Sequence, residues 1–483
     1  MFIMTFKSPL LLISCLFILI LLLQSASAIL SSFKHLKSFT TTTGKQFTFN
    51  GQLIDHYNPL DGRTFGQRYW AADEFYSPGP NSPIFFYICG ETTCSGTPSN
   101  TSYPYQMAQK LGALLIALEH RFYGYSQPFG PQSMKTENLR YLTVEQALGD
   151  LSYFMSWFKG NYAFKIYDSQ PWITIGGSYT GCLSAWLRNK YPHLTVGAWA
   201  SSPGINSILD FSDFDYQVYL SVSKSGPQCP QTIQNLTQYF ESQLYDNPAN
   251  VSQAFKARFG EDALKLSNEE LLCFIADSFV VQVQFHQRIQ LCDFLTNFTD
   301  FDQLVNATIQ HFLEINEIRD YGASYFVSND TFDPEMDDRI QRQWIYQTCS
   351  QLGWFITPSN KSEYTMRSSR ITLDYYKEFC RNAFCADLWP DTERFNNDFG
   401  GVDLRTTNLI LTSGCEDPWQ WAAKNTTTGS MTHIYVNCDD CAHCIDLYND
   451  NSTNPEGQKQ AHAQIYGLLL DYLGQSKPES IIY

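Results

Sequence analysis

Charge is scarce in this 483-residue sequence, at 17% of residues, and basic charge is scarcer still, with 32 Lys and Arg against 48 Asp and Glu. A net charge of -16 offers no broad attraction to a phosphate backbone or an anionic membrane surface. Nucleic acid and lipid headgroups are therefore excluded as main partners. No internal repeat or low-complexity block is present, which excludes stacked-repeat architectures. Beyond residue 28 no stretch approaches the ~20 apolar residues of a membrane helix. What is plentiful is aromatic, with 35 Phe, 29 Tyr and 10 Trp in a chain that is 43% hydrophobic. That is the reverse of a disordered composition, and the length suits one large core or two to three domains.

The one long apolar run, Leu10 to Leu23, follows a single positive charge at Lys7 and leads into Gln24-Ser25-Ala26-Ser27-Ala28. This is the layout of a secretory leader cleaved after Ala28. A signal anchor is the competing reading, and the small-residue exit without flanking basic residues argues against it. Cleavage removes Lys7 and Cys15, leaving a net charge of -17 and 13 cysteines. In an oxidising compartment most of these are expected as disulfides, with one left over because the count is odd. Nine N-x-S/T sequons, at Asn100, Asn235, Asn250, Asn297, Asn306, Asn329, Asn360, Asn425 and Asn451, mark expected glycosylation sites. The expected location is the secretory pathway, in a lysosome or vacuole or outside the cell. The excess of carboxylates suits an acidic compartment, where many are partly protonated.

From Ser82 to about Ser202 short apolar runs alternate with helical periods, the pattern of a largely parallel sheet. Pro83 to Ile88, Ala113 to Leu118 and Pro171 to Ile175 read as buried strands, and Val144 to Phe158 as a helix. From about Ile205 to Pro390 long helical periods take over, and strand character returns at Thr407 to Leu411 and Ile434 to Val436, before a final helix from about Pro455 to Leu473. The expected organisation is a leader over 1–28, a sheet domain in two parts over 29–204 and 396–483, and a mainly helical cap inserted over 205–395.

Chemistry concentrates at two strand ends. The segment Ile175-Gly176-Gly177-Ser178-Tyr179-Thr180-Gly181 has the order strand, tight turn, helix, which exposes a serine hydroxyl above a sheet edge beside helix-terminal amides. It departs from G-x-S-x-G because Thr180 fills the second glycine place. An ordinary helix cap is the plainer reading of Ser178. A serine needs a base, and Ser413-Gly414-Cys415-Glu416-Asp417-Pro418-Trp419 places an acid after the returning strand, with His443 further on in Cys441-Ala442-His443-Cys444. The order Ser, Asp, His is that of α/β-hydrolases. Rival acids are Glu416, which an extended chain would turn away from Asp417, and Asp446, too near His443 to come from another strand. Cys438, Cys441 and Cys444 beside His443 carry a metal-site spacing, which an oxidising compartment turns towards disulfides. His120 follows a strand and reads either as a site residue or as a buried, hydrogen-bonded histidine.

Together these motifs resemble the serine exopeptidase family that includes lysosomal Pro-X carboxypeptidase, dipeptidyl peptidase II and thymus-specific serine protease. The resemblance rests on Glu119-His120-Arg121-Phe122-Tyr123-Gly124, Asn138 to Leu142, the Gly176 to Gly181 elbow, Tyr191-Pro192-His193, Ala200 to Pro203, Gln343-Trp344, Tyr346 to Cys349, Asp417-Pro418-Trp419 and Ala442-His443-Cys444. It spans about residues 45 to 475 and looks most like the thymus-specific branch. It implies an α/β-hydrolase sheet with a helical cap and a catalytic triad of Ser178, Asp417 and His443. It further implies an oxyanion hole with the Tyr179 amide as one donor and the loop Cys89-Gly90-Glu91-Thr92 as the source of a second, and Trp419 lining the substrate pocket. The implied activity is hydrolysis near one end of a peptide, as a dipeptidyl peptidase or carboxypeptidase, often after proline. Peptides are the implied partners and neither a metal nor an organic cofactor is required; a homodimer stays open. A local Cys89–Cys94 bridge and a pairing of Cys349 with Cys229 are implied in the same way. An esterase or lipase of the same fold, or a silent secreted glycoprotein, is the alternative.

Overall fold

The computed structural model describes residues 43–160, 164–328, 331–332 and 341–475; the expected leader and the sequon at Asn329 lie outside them. Eight strands form one sheet: β1 (Lys45–Leu53), β2 (Thr64–Ala72), β3 (Ile84–Ile88), β4 (Leu114–Leu118), β5 (Trp172–Gly177), β6 (Gly197–Ser201), β7 (Leu409–Gly414) and β8 (Met431–Val436), in the order β1-β2-β4-β3-β5-β6-β7-β8. The pairs β1–β2 and β2–β4 are antiparallel and all others parallel. This is an α/β-hydrolase sheet.

Strands covered on both faces have no wet side, so they read as unbroken apolar runs. Ile-Phe-Phe-Tyr-Ile of β3 and Leu-Leu-Ile-Ala-Leu of β4 are buried throughout. The helix α1 (Val144–Phe158) covers one face with Val144, Ala147, Leu148, Leu151, Phe154, Met155 and Phe158, all buried at helical spacing. Each large apolar side chain so placed contributes about 1.5–3 kcal/mol of transfer free energy. Thr143 starts the helix by accepting from the Gln146 amide at 3.2 Å.

Between β6 and β7 the chain is mainly helical, from Ser212–Ser223 through Thr392–Phe399, with one small parallel pair, Ile208–Asp210 beside Gly353–Phe355. Its central helix, α2 (Asn268–Gln284), opens with a capping box, Ser267 and Glu270 each satisfying the other's amide. Among the described residues no helix is long and apolar enough to cross a membrane.

Two expectations about cysteine are corrected. Cys349 pairs with Cys380, and Cys229 with Cys292, because helix packing inside the cap brings those positions together. Four disulfides form, the others being Cys89–Cys94 and Cys438–Cys441. Cys182, Cys273, Cys385, Cys415 and Cys444 stay as thiols. Four of these five are buried and one is exposed, so most are small apolar core residues.

Candidate active site

The carboxyl ends of β3, β5 and β7 converge, as ligand-bearing loops of such sheets do. Ser178 follows β5 directly and takes φ 58°, ψ −129°, a conformation costly for a residue with a Cβ. Close packing enforces it. A Cβ on Gly176 would stand 2.2 Å from Thr180 O, and one on Gly181 would stand 2.7 Å from Ser201 O. Gly181 is thus the glycine that lets the following helix, Tyr179–Lys190, approach β6. Thr180 accounts for the missing glycine, since its hydroxyl donates to Gly177 O at 2.9 Å and accepts from Gly177 N at 3.0 Å, closing the elbow with a side chain. Tyr179 opens the helix, so its amide has no intrahelical acceptor.

Asp417 and His443 meet. His443 Nδ1 donates to Asp417 Oδ2 at 2.9 Å and lies 3.0 Å from Oδ1, with both residues buried. Its Nε2 is buried and has no hydrogen-bond partner among the described residues. Burial works against a charged imidazole here, yet the Asp417 carboxylate outweighs it and holds the His443 pKa well above the ordinary histidine value. Ser178 and His443 line one cavity, together with the loop after β3. Gly414, the last residue of β7, admits the His443 loop, since a Cβ there would stand 2.1 Å from Ala442 O.

The rival acids have other partners. Asp446 accepts from Ser201 Oγ (2.6 Å), Thr412 Oγ1 (2.8 Å) and Trp199 Nε1 (2.8 Å), tying β6 to β7 beneath the site. Glu416 points away from His443 and accepts from Arg288, Lys224 and the Asp440 amide. His120 is the buried kind: Nδ1 donates to Arg121 O at 2.7 Å and Nε2 accepts from Tyr179 OH at 3.2 Å. Burial pushes its pKa down to about 4, so it is neutral. Gln347 Nε2 donates to the same Tyr179 hydroxyl at 2.9 Å, and the pair fixes the side chain that follows Ser178. Trp419 stands beside His443, with ring centroids 6.1 Å apart, in a cluster with Phe211, Phe214 and Trp354. It is not on the wall of the cavity that holds Ser178. Cys438 and Cys441 are bonded to each other, which removes both thiolates from the metal-site spacing.

The cap supplies residues that no motif announced. His443 N donates to Gln284 O at 3.1 Å; His286 accepts from Ala442 N at 3.1 Å on Nδ1 and donates to His443 O at 3.0 Å from Nε2. Gln284 Oε1 also accepts from Trp419 Nε1 at 3.2 Å. One turn at the end of α2 therefore clamps the main chain of the histidine loop from above.

The same loop carries a group that titrates in a useful range. Burial first, and the neighbouring Glu416 carboxylate second, push the Asp440 carboxyl up to about 7, against the pull of Arg288. Its folded pKa lies above the unfolded value, so between about pH 4 and 7 the folded state holds a proton that the unfolded chain has released. The contribution to stability is greatest at the acid end and falls as pH rises through that window. The protein is expected to melt at a lower temperature at pH 7 than at pH 5, and Asp440→Asn to shrink the difference. Equal differences in thermal melts of the two proteins would remove Asp440 as the source.

A family model described as serine carboxypeptidase S28 matches residues 52–465. The chain is similar to the probable serine protease EDA2 of Arabidopsis thaliana, with 33% identity over 414 residues that cover 84% of this chain and 81% of that one. It is similar to the thymus-specific serine protease of Homo sapiens at 26% identity, covering 89% and 87%. For the lysosomal Pro-X carboxypeptidase of Homo sapiens the identity is 28%, covering 84% and 83%. A match over most of the chain, on a hydrolase sheet with a serine at the elbow, means that the protein belongs to the serine carboxypeptidase S28 family of serine-type peptidases.

Proposed function

We propose that the chain is a serine exopeptidase that hydrolyses peptides through an acyl-enzyme, with Ser178 as nucleophile, His443 as general base and acid, and Asp417 as the orienting carboxylate. One observation carries this reading: Asp417 occupies Nδ1 of His443, while Nε2 is left without a partner among the described residues, on a cavity shared with Ser178. In that arrangement Nε2 takes the Ser178 proton as Oγ attacks the peptide carbonyl, and Asp417 stabilises the imidazolium that forms. The tetrahedral oxyanion is received by the Tyr179 amide and by an amide of the loop at Gly90 and Glu91. His443 then gives the proton to the departing amine, and water reverses the sequence on the acyl-enzyme.

The helical insertion between β6 and β7 reaches the histidine loop through Gln284 and His286, which supports cleavage near a chain end over cleavage of folded proteins. An apolar residue such as proline beside the scissile bond is in keeping with the name of the Pro-X carboxypeptidase relative, and Trp419, though off the wall of the Ser178 cavity, flanks it from beside His443. Passage through the secretory pathway fits the four disulfides and the sequons, whose eight described asparagines are all exposed. A fluorophosphonate probe tests the core of the reading. The wild type is expected to label and Ser178→Ala is not; equal labelling of both would remove Ser178 as nucleophile.

A further inference from the structure

We infer that Glu91 is the recognition group for a free amino terminus, so that the peptidase acts at the amino end of its substrates. This deepens the proposed triad reading and rests on it, adding which end of the peptide is held.

Glu91 sits in the loop after β3, and that loop is fixed on three sides. The Cys89–Cys94 disulfide closes it. Cys94 N donates at 3.1 Å to Glu119, a fully buried carboxylate that also binds Arg68 and Ser126. Gly90 lies against the elbow, where a Cβ would stand 2.8 Å from Thr180 Cγ2. The next residue along, Glu91, is half-buried and lines the cavity with Ser178 and His443.

Other buried carboxylates among the described residues are met by donors from other residues. Asp150 has Arg121 and His56, Glu416 has Arg288 and Lys224, and Asp446 has three neutral donors. Among the described residues Glu91 has no ion pair with a basic side chain, and its carboxylate accepts only from its own amide. Burial raises its pKa, and its own amide and then the attraction of His443 act in the opposite direction without cancelling it. A carboxylate drawn out of water without a counter-charge costs free energy, and an arriving cation relieves that cost.

Beside the scissile bond of a short peptide, the compact cation is the α-ammonium of the first or second residue, since each residue spans about 3.8 Å between Cα atoms. A substrate carboxylate at the same place would meet Glu91 as a like charge, which selects against a carboxyl-terminal anchor there. One side chain thereby attracts one chain end and repels the other.

The test compares wild type and Glu91→Gln on matched short peptide amides, one with a free amino terminus and one acetylated, with fluorophosphonate labelling of Ser178 followed in parallel. Wild type is expected to favour the free amine. In Glu91→Gln, kcat/KM for the free-amine peptide should fall by about 10- to 100-fold, the range of one charge-assisted hydrogen bond. The acetylated peptide and the probe should lose much less, since Glu91→Gln keeps the main-chain amide and removes only the side-chain charge. Equal losses on both peptides would make Glu91 structural and overturn the inference, as would a wild type that requires a free carboxyl terminus or prefers a basic side chain whether or not the amine is blocked. Wild type that fails to label would overturn the triad reading itself, which separates the two failures.

Discussion

Asp417→Asn is expected to lower kcat by about 10⁴-fold, the scale seen when a triad carboxylate becomes an amide. The reason lies in which nitrogen of His443 carries the proton. Both Asp417 oxygens lie within 3.0 Å of Nδ1, so the carboxylate demands N–H there and leaves Nε2 as the acceptor. An asparagine can turn its amide towards Nδ1 and donate, which moves the ring proton to Nε2 and blocks transfer from Ser178. The imidazolium that forms during attack also loses its counter-charge. KM for a short peptide should change little, because Asp417 is fully buried and does not line the cavity that holds Ser178. The double variant Ser178→Ala with Asp417→Asn should be no slower than Ser178→Ala alone, since the residues act as a unit. Single-turnover kinetics on a chromogenic peptide would check both statements. A loss below tenfold would mean that Asp417 is not the orienting group.

Much of this site is legible before any coordinates. A serine after a strand with two glycines, an acid after a returning strand and a late histidine are local signals, and each sits where a strand ends. The sheet centre is legible for a related reason, since strands buried on both faces carry apolar runs. The β1–β2 hairpin escapes because it lies at an edge. Along β1 only Phe49 and Gln52 are buried, and Gln52 reads as polar although its amide is fully satisfied by Gln67 and by Asp150 O. Thr180 looks like a defect in the elbow until its hydroxyl is seen bridging Gly177. The disulfides of the cap could not be paired from spacing, because partners 63 and 31 residues apart are brought together by helix packing. Gln284 and His286 escape for the same reason, as their partners are main-chain groups more than 150 residues away.

That long-range clamp has an electrostatic counterpart, and its removal is the second large effect expected. Glu416 precedes Asp417 directly, is fully buried, and receives Arg288 Nε at 3.0 Å and Nη2 at 3.2 Å, Lys224 Nζ at 3.1 Å and the Asp440 amide at 2.8 Å. Arg288 is itself buried and also binds Asp439. Three separate segments, two from the cap and one from the histidine loop, thus converge on one carboxylate next to Asp417. Glu416→Ala would leave the Arg288 guanidinium buried with its main counter-charge gone and the Asp440 amide without its acceptor. Breaking a buried pair on one side costs about 3–5 kcal/mol, a large part of the ~5–15 kcal/mol that holds an ordinary domain. A lower midpoint in denaturant should be accompanied by a fall in kcat, because the loop that presents His443 loses an anchor. Replacing both buried partners by apolar residues, Glu416→Met with Arg288→Leu, should recover part of the stability, since the charge then left unpaired is that of the half-exposed Lys224 and no longer that of buried Arg288. It should recover less of the activity, since the Asp440 amide still lacks its acceptor and the loop stays loose. Stability and turnover that recover together would show that the pair stabilises the fold without positioning the loop.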